Sequence, residues 1–98
     1  MKCDSLSAEI KSVDANNNVV YCKQGRLVVV TIMNLCPEGY TMTSKLPTPA
    51  IGNAYNAVKA VSGDGQMGIF QVASDGALLC AIGNTALVYT GEIVYMCN

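Results

Sequence analysis

Apolar residues in this chain recur at every second position, in short runs separated by Gly, Asn, Asp and Pro. Successive side chains on an extended strand point to opposite faces, so a period of two marks β-structure, whereas an amphipathic helix would need a period of 3.6. Residues 7–13 (S-A-E-I-K-S-V) alternate and open the chain as a first strand, and Asp14-Ala15-Asn16-Asn17-Asn18 makes a turn, because Asp and Asn tolerate left-handed backbone and close local hydrogen bonds. Residues 19–24 and 26–33 are strands joined by a tight turn at Gln24-Gly25, which predicts a β-hairpin. Residues 34–50 form a long irregular stretch. Pro37, Pro47 and Pro49 lack backbone donors and keep most of it out of a ladder, apart from a short edge strand over residues 40–44. The alanines of residues 53–62 allow a helix, but their alternation favours a strand. Gly63-Asp64-Gly65 turns the chain into a strand over residues 66–73. Ser74-Asp75-Gly76 leads to another over 77–82, and Gly83-Asn84 to a last one over 86–96, which Gly91 bends or bulges. Seven or eight short strands with regular turns predict an all-β antiparallel sandwich or barrel. It forms one domain over residues 1–98, with an N-terminal strand and turn in 1–18.

The strand over residues 26–33 carries Val28, Val30 and Ile32 on one face, and Leu27, Val29 and Met33 with Thr31 on the other. A strand with one wet face alternates apolar with polar, so this one predicts cover on both sides. Composition agrees: 51% of the 98 residues are hydrophobic and 13% charged, against about 25% charged in an average globular protein. The exterior is then built from Asn, Ser, Thr and Gly, with part of it hidden in an oligomer.

The net charge is −1 and the charges are scattered singly, which argues against nucleic-acid binding. There is no polybasic segment, amphipathic helix or apolar run near about 20 residues, which argues against membrane attachment or insertion. Residues 1–7 lack the apolar stretch of a signal peptide, so the expectation is synthesis in the cytoplasm without export by that route.

Five cysteines, Cys3, Cys22, Cys36, Cys80 and Cys97, are widely spaced with no C-x-x-C pair. Either four of them pair as a disulfide frame, or most are buried thiols acting as small hydrophobes; the spacing favours the second. With no His in the chain, zinc and nucleophile–His pairs are not expected, nor is any other metal or cofactor. Lys23 follows Cys22, but neighbours on a strand point to opposite faces and a reactive thiolate is not expected there. Asp64 and Asp75 are the obvious carboxylate pair, yet both sit in Gly-containing turns where Asp closes local hydrogen bonds. Gly63-Asp64-Gly65 and Gly76 lack the Lys-[Ser/Thr] of a phosphate loop. No catalytic residue is assigned, and an enzyme is not expected. Tyr40 and Tyr55 flank the proline-containing segment and are the candidate ligand-binding residues, able to stack on a sugar ring; packing at the sandwich edge is the alternative. Tyr89 and Tyr95 share parity and are read as core or subunit-contact residues.

Taken in order, Gly25-Arg26-Leu27-Val28-Val29-Val30-Thr31-Ile32, Lys45-Leu46-Pro47-Thr48-Pro49, the run from Gly68-Ile69-Phe70 to Ser74-Asp75-Gly76-Ala77-Leu78, and Gly91-Glu92-Ile93-Val94-Tyr95-Met96 form a pattern over about residues 19–97. That pattern resembles the C-terminal head or tip domain of bacteriophage tail fibres and baseplate receptor-binding proteins. The five cysteines, the lack of Trp and the Ala- and Asn-rich segment after Leu46-Pro47 depart from it. The resemblance implies a jelly-roll-like β-sandwich, homotrimeric, carried on the virion and adhering to a host-surface glycan or protein. A structural trimerisation or head-decoration module is the alternative, and a carbohydrate-binding module of a secreted enzyme the third reading. A three-fold assembly would also cover the second apolar face of the strands.

Overall fold

In the computed structural model, residues 9–61 and 66–98 are described. They form seven strands: β1 (Glu9–Ser12), β2 (Val19–Gln24), β3 (Leu27–Leu35), β4 (Ala54–Ala60), β5 (Met67–Val72), β6 (Leu78–Ile82) and β7 (Tyr89–Met96). All pairings are antiparallel, in one curled sheet of order β1-β2-β3-β7-β4-β5-β6. Two three-strand meanders are thus joined through β7. The order β7-β4-β5-β6 is that of a Greek key.

The curl has a visible origin. β4 and β7 pair only through Lys59↔Thr90 and Ala60↔Tyr89 and then part, with the Asn56 side-chain amide reaching across to the Glu92 carbonyl. The sheet turns a corner there, and the core fills the inside of the turn. Val28, Val30 and Ile32 of β3 meet Phe70 and Val72 of β5 and Tyr89 and Ile93 of β7 in one buried cluster. Val58 packs so closely over Gly91 that a Cβ on the glycine would lie 2.6 Å from a Val58 methyl. Close packing, not a bulge, therefore accounts for Gly91. The irregularity lies opposite, in β3. Ile32 faces Gly91 and Leu35 faces Tyr89, so Met33 and Asn34 share one place against Thr90. Asn34 takes φ 50° there, a conformation Asn tolerates better than most residues.

Residues 40–44 do not form the expected edge strand. The segment from 36 to 53 instead crosses the open side of the core. The Thr43 N–H and hydroxyl donate to the Val13 carbonyl, the Leu46 N–H to Gly76 and the Ala50 N–H to Met96. The Tyr95 hydroxyl donates to the Pro47 carbonyl at 2.7 Å, and Leu46 is buried beneath the crossing. The last strand begins at Tyr89 and not at residue 86, because Asn84 closes a turn first: its side chain accepts from the Ala86 N–H and its carbonyl from the Leu87 N–H. The expected turn at 63–65 lies outside the described residues, as do residues 1–8.

The second face of the sheet is open within one chain. Val29 is buried, but Ile10, Val94 and Met96 on one side of the corner, and Tyr55, Leu79 and Ile82 on the other, are 47–64% exposed. Cys22 is disulfide-bonded. Cys36, Cys80 and Cys97 are free, and of these only Cys97 is buried. The described residues contain no helix long and apolar enough to cross a membrane.

Candidate functional site

A depression of about 440 Å³ opens where the 14–18 turn, the β3 bulge and the start of the 36–53 crossing converge. Its position follows from one side chain. Asp14 is buried, and its Oδ1 accepts from the N–H of Asn16 (2.9 Å) and Asn18 (3.1 Å). Its Oδ2 accepts from the Val19 N–H (3.0 Å) and the Tyr40 hydroxyl (2.8 Å). The first three bonds shape the turn, with Asn17 at φ 58°. The fourth ties the crossing segment to it. The Asn18 side-chain amide also donates to the Met33 carbonyl and so anchors the turn against the bulge. The floor of the cleft is therefore held by rigid strands and the rim by loops.

Burial pushes the Asp14 carboxyl up, but the Tyr40 hydroxyl and the N–H groups of Asn18, Val19 and Asn16 outweigh it and hold the group below its ordinary value of 3.8. Burial, and then Asp14, push the Tyr40 phenol above its usual range. A carboxyl with a lowered folded value contributes stability above its unfolded value, and that contribution is lost as the pH falls through the folded value. The wild-type urea midpoint should therefore drop as the pH is taken below about 4. Asp14→Asn should remove this part of the acid dependence and lower stability at pH 7 by about 1–2 kcal/mol, because its amide would face the Val19 N–H donor against donor. An acid profile parallel to wild type would show that Asp14 does not carry that dependence.

Around this clamp the cleft presents Asn16, Asn34, Glu38, Thr41 and Thr43. Among the described residues no Lys or Arg lines it. Amides, hydroxyls and one rim carboxylate beside an aromatic edge suit an uncharged, hydroxyl-rich ligand. A smaller depression of about 250 Å³ adjoins it, more apolar, with Leu35 and Tyr40 in both walls and Phe70, Leu78 and Cys80 behind.

The structure does not bring the two candidate tyrosines together. Tyr40 lies in the cleft wall, half-buried and with its hydroxyl committed to Asp14. Tyr55 stands 57% exposed on the outer face of β4, its hydroxyl accepting from Asn53. Tyr89 and Tyr95 are core residues. Asp75 accepts from the Ala77 N–H in its own turn and forms an exposed ion pair with Lys45, while Asp64 lies outside the described residues. Among the described residues no group of His, Cys, Asp or Glu is placed to hold a metal ion. The role of Asp14 went beyond the sequence reading, which placed it only in a turn. The D-x-N-x-N spacing was the available signal for its local bonds, but nothing local marks Tyr40 as its partner.

No family model, curated protein or solved structure matches the chain.

Proposed function

We propose that this chain is the tip module of a phage-type tail fibre or baseplate: a jelly-roll-like homotrimer that adheres to a host-surface glycan and catalyses nothing. The observation that carries this reading is the polar cleft, formed by loops on an antiparallel scaffold and lined, among the described residues, by amides, hydroxyls and the carboxylates of Asp14 and Glu38, with no basic side chain. Loops held by a rigid scaffold are where recognition residues concentrate. The likeness of residues 25–32, 45–49, 68–78 and 91–96 to fibre-tip domains supports the same reading. On this reading the protein belongs on the virion and is made in the bacterial cytoplasm.

Asn16 and Thr41 line the cleft and are exposed, so their replacement by alanine should leave the fold intact. The test is binding to an array of bacterial surface glycans and to whole cells. The protein should bind a subset of uncharged glycans, and the double variant should bind at least about tenfold more weakly, a loss of about 1.4 kcal/mol, with unchanged melting temperature. Binding that ignores both substitutions, or no binding to any glycan or cell, would overturn the adhesive reading.

A further inference from the structure

The outer face of the sheet has two parts, one on each side of the β4/β7 corner, and their charges differ. On β1, β2, β3 and β7, the outward positions follow from the register rows Ile10↔Cys22↔Val29↔Val94, Leu27↔Met96 and Thr31↔Glu92. Glu92 is the one charged residue among the outward strand positions there. On β4, β5 and β6, the rows Tyr55↔Gln71↔Leu79, Ala57↔Ile69↔Ile82 and Lys59↔Met67 carry Lys59 as their one charge. Both parts are otherwise uncharged, with Thr31 and Gln71 among mainly apolar side chains, and each contains large apolar side chains that are about half exposed. A soluble monomer rarely leaves apolar patches beyond a few hundred Å² uncovered. Two such surfaces with opposite single charges complement each other better than either complements itself: pairing like with like would set Glu92 near Glu92, or Lys59 near Lys59, inside an apolar contact.

We infer that copies of this chain associate head to tail, with the β4-β5-β6 outer face of one copy on the β1-β2-β3-β7 outer face of the next and Lys59 of one near Glu92 of the other. A contact between two different surfaces closes into a ring when the rotation between copies permits. The inference thus names the contact on which the trimeric reading rests, and it does not depend on what the cleft binds. The contact would cover the second apolar face of β3, the feature of the sequence that called for cover.

Complementary blocked variants test it. Val94→Lys blocks one face and Leu79→Lys the other, at positions 54% and 47% exposed, and circular dichroism checks that each still folds. Wild type should scatter light as three times the protomer's 10.3 kDa, each variant alone as a monomer, and an equimolar mixture of the two as a one-to-one dimer through the intact face of each. Lys59→Glu and Glu92→Lys should each weaken association about tenfold or more, and the double exchange should restore it. If one blocked variant still self-associates like wild type, the contact is between like faces and the inference is wrong. An oligomer indifferent to all four substitutions overturns it while leaving the trimer standing. A wild-type protein that stays monomeric overturns both, and glycan binding measured on that same sample then decides the adhesive reading separately.

Discussion

Gly76→Ala is expected to lower the stability of this protein by about 2–6 kcal/mol. Two costs add. Gly76 sits at φ 88°, where a residue with a Cβ is strained by about 1–3 kcal/mol. The new Cβ would also lie 2.3 Å from the Leu46 carbonyl oxygen and 3.2 Å from Lys45 Cβ, and overpacking of this kind typically costs about 1–3 kcal/mol more. The obstacle is backbone and has little freedom to yield. Leu46 is buried, and its N–H donates to the Gly76 carbonyl at 2.9 Å. Gly25→Ala separates the two costs. It has φ 60° but no atom within 4 Å of its would-be Cβ, so it should cost only about 1–2 kcal/mol. Urea midpoints of the two variants make the comparison. Equal losses would mean that the 36–53 crossing is free to move away from the 74–76 turn.

Phe70→Ala should cost a similar amount, about 3–5 kcal/mol, for a different reason. The ring is 1% exposed, packed edge-on to Tyr89 with centroids 5.2 Å apart and planes at 64°. Tyr89 cannot collapse into the space, because its hydroxyl both donates to the Asn84 carbonyl and accepts from the Asn84 N–H, each at 3.0 Å. Gly68 and Gly83 also leave it no slack, since a Cβ on either would lie 2.9 Å from the Tyr89 side chain. A cavity should therefore remain. A protein of this size has about 5–15 kcal/mol in all, so the melting temperature should fall by at least about 12 °C. Phe70→Leu, which refills most of the volume, should cost under about 1.5 kcal/mol. A small effect for Phe70→Ala would indicate that β4-β5-β6 and β1-β2-β3-β7 are not packed on a common core.

The strands were legible because period and punctuation agree. Val19–Gln24 starts and stops where its alternation does, and the preference for strand over helix in residues 53–62 holds as β4. The misreadings share a cause: local pattern was overruled by contacts from far along the chain. Residues 40–44 alternate well enough for a strand, but their backbone is needed to cross the core, where Thr43 meets Val13. Gly91 reads as a bend or bulge in isolation, but the register puts the bulge opposite it in β3, and the close approach of Val58 gives the glycine its reason. The candidate site was half visible. The Asp-Asn turn was readable as a turn, but the cleft exists only where Tyr40 comes back to Asp14, 26 residues earlier. Of the two tyrosines that sequence proximity to the prolines suggested, one lies in that cleft and the other on the outer face.

The position of β7 has a consequence for how the chain is made. It is the last of the seven strands in the sequence and the fourth in the sheet, and the two meanders reach each other's hydrogen bonds only through it. A nascent chain leaving the ribosome can form the β2–β3 hairpin early. However, neither half can close its apolar inner surface until residues 89–96 have emerged and slid between β3 and β4. Long-range pairing of this kind is slow and leaves open strand edges while it waits. A ribosome stalled before that point should therefore hold a protease-sensitive, chaperone-bound intermediate, and emergence of residues 89–96 should convert it to the native domain in a single step.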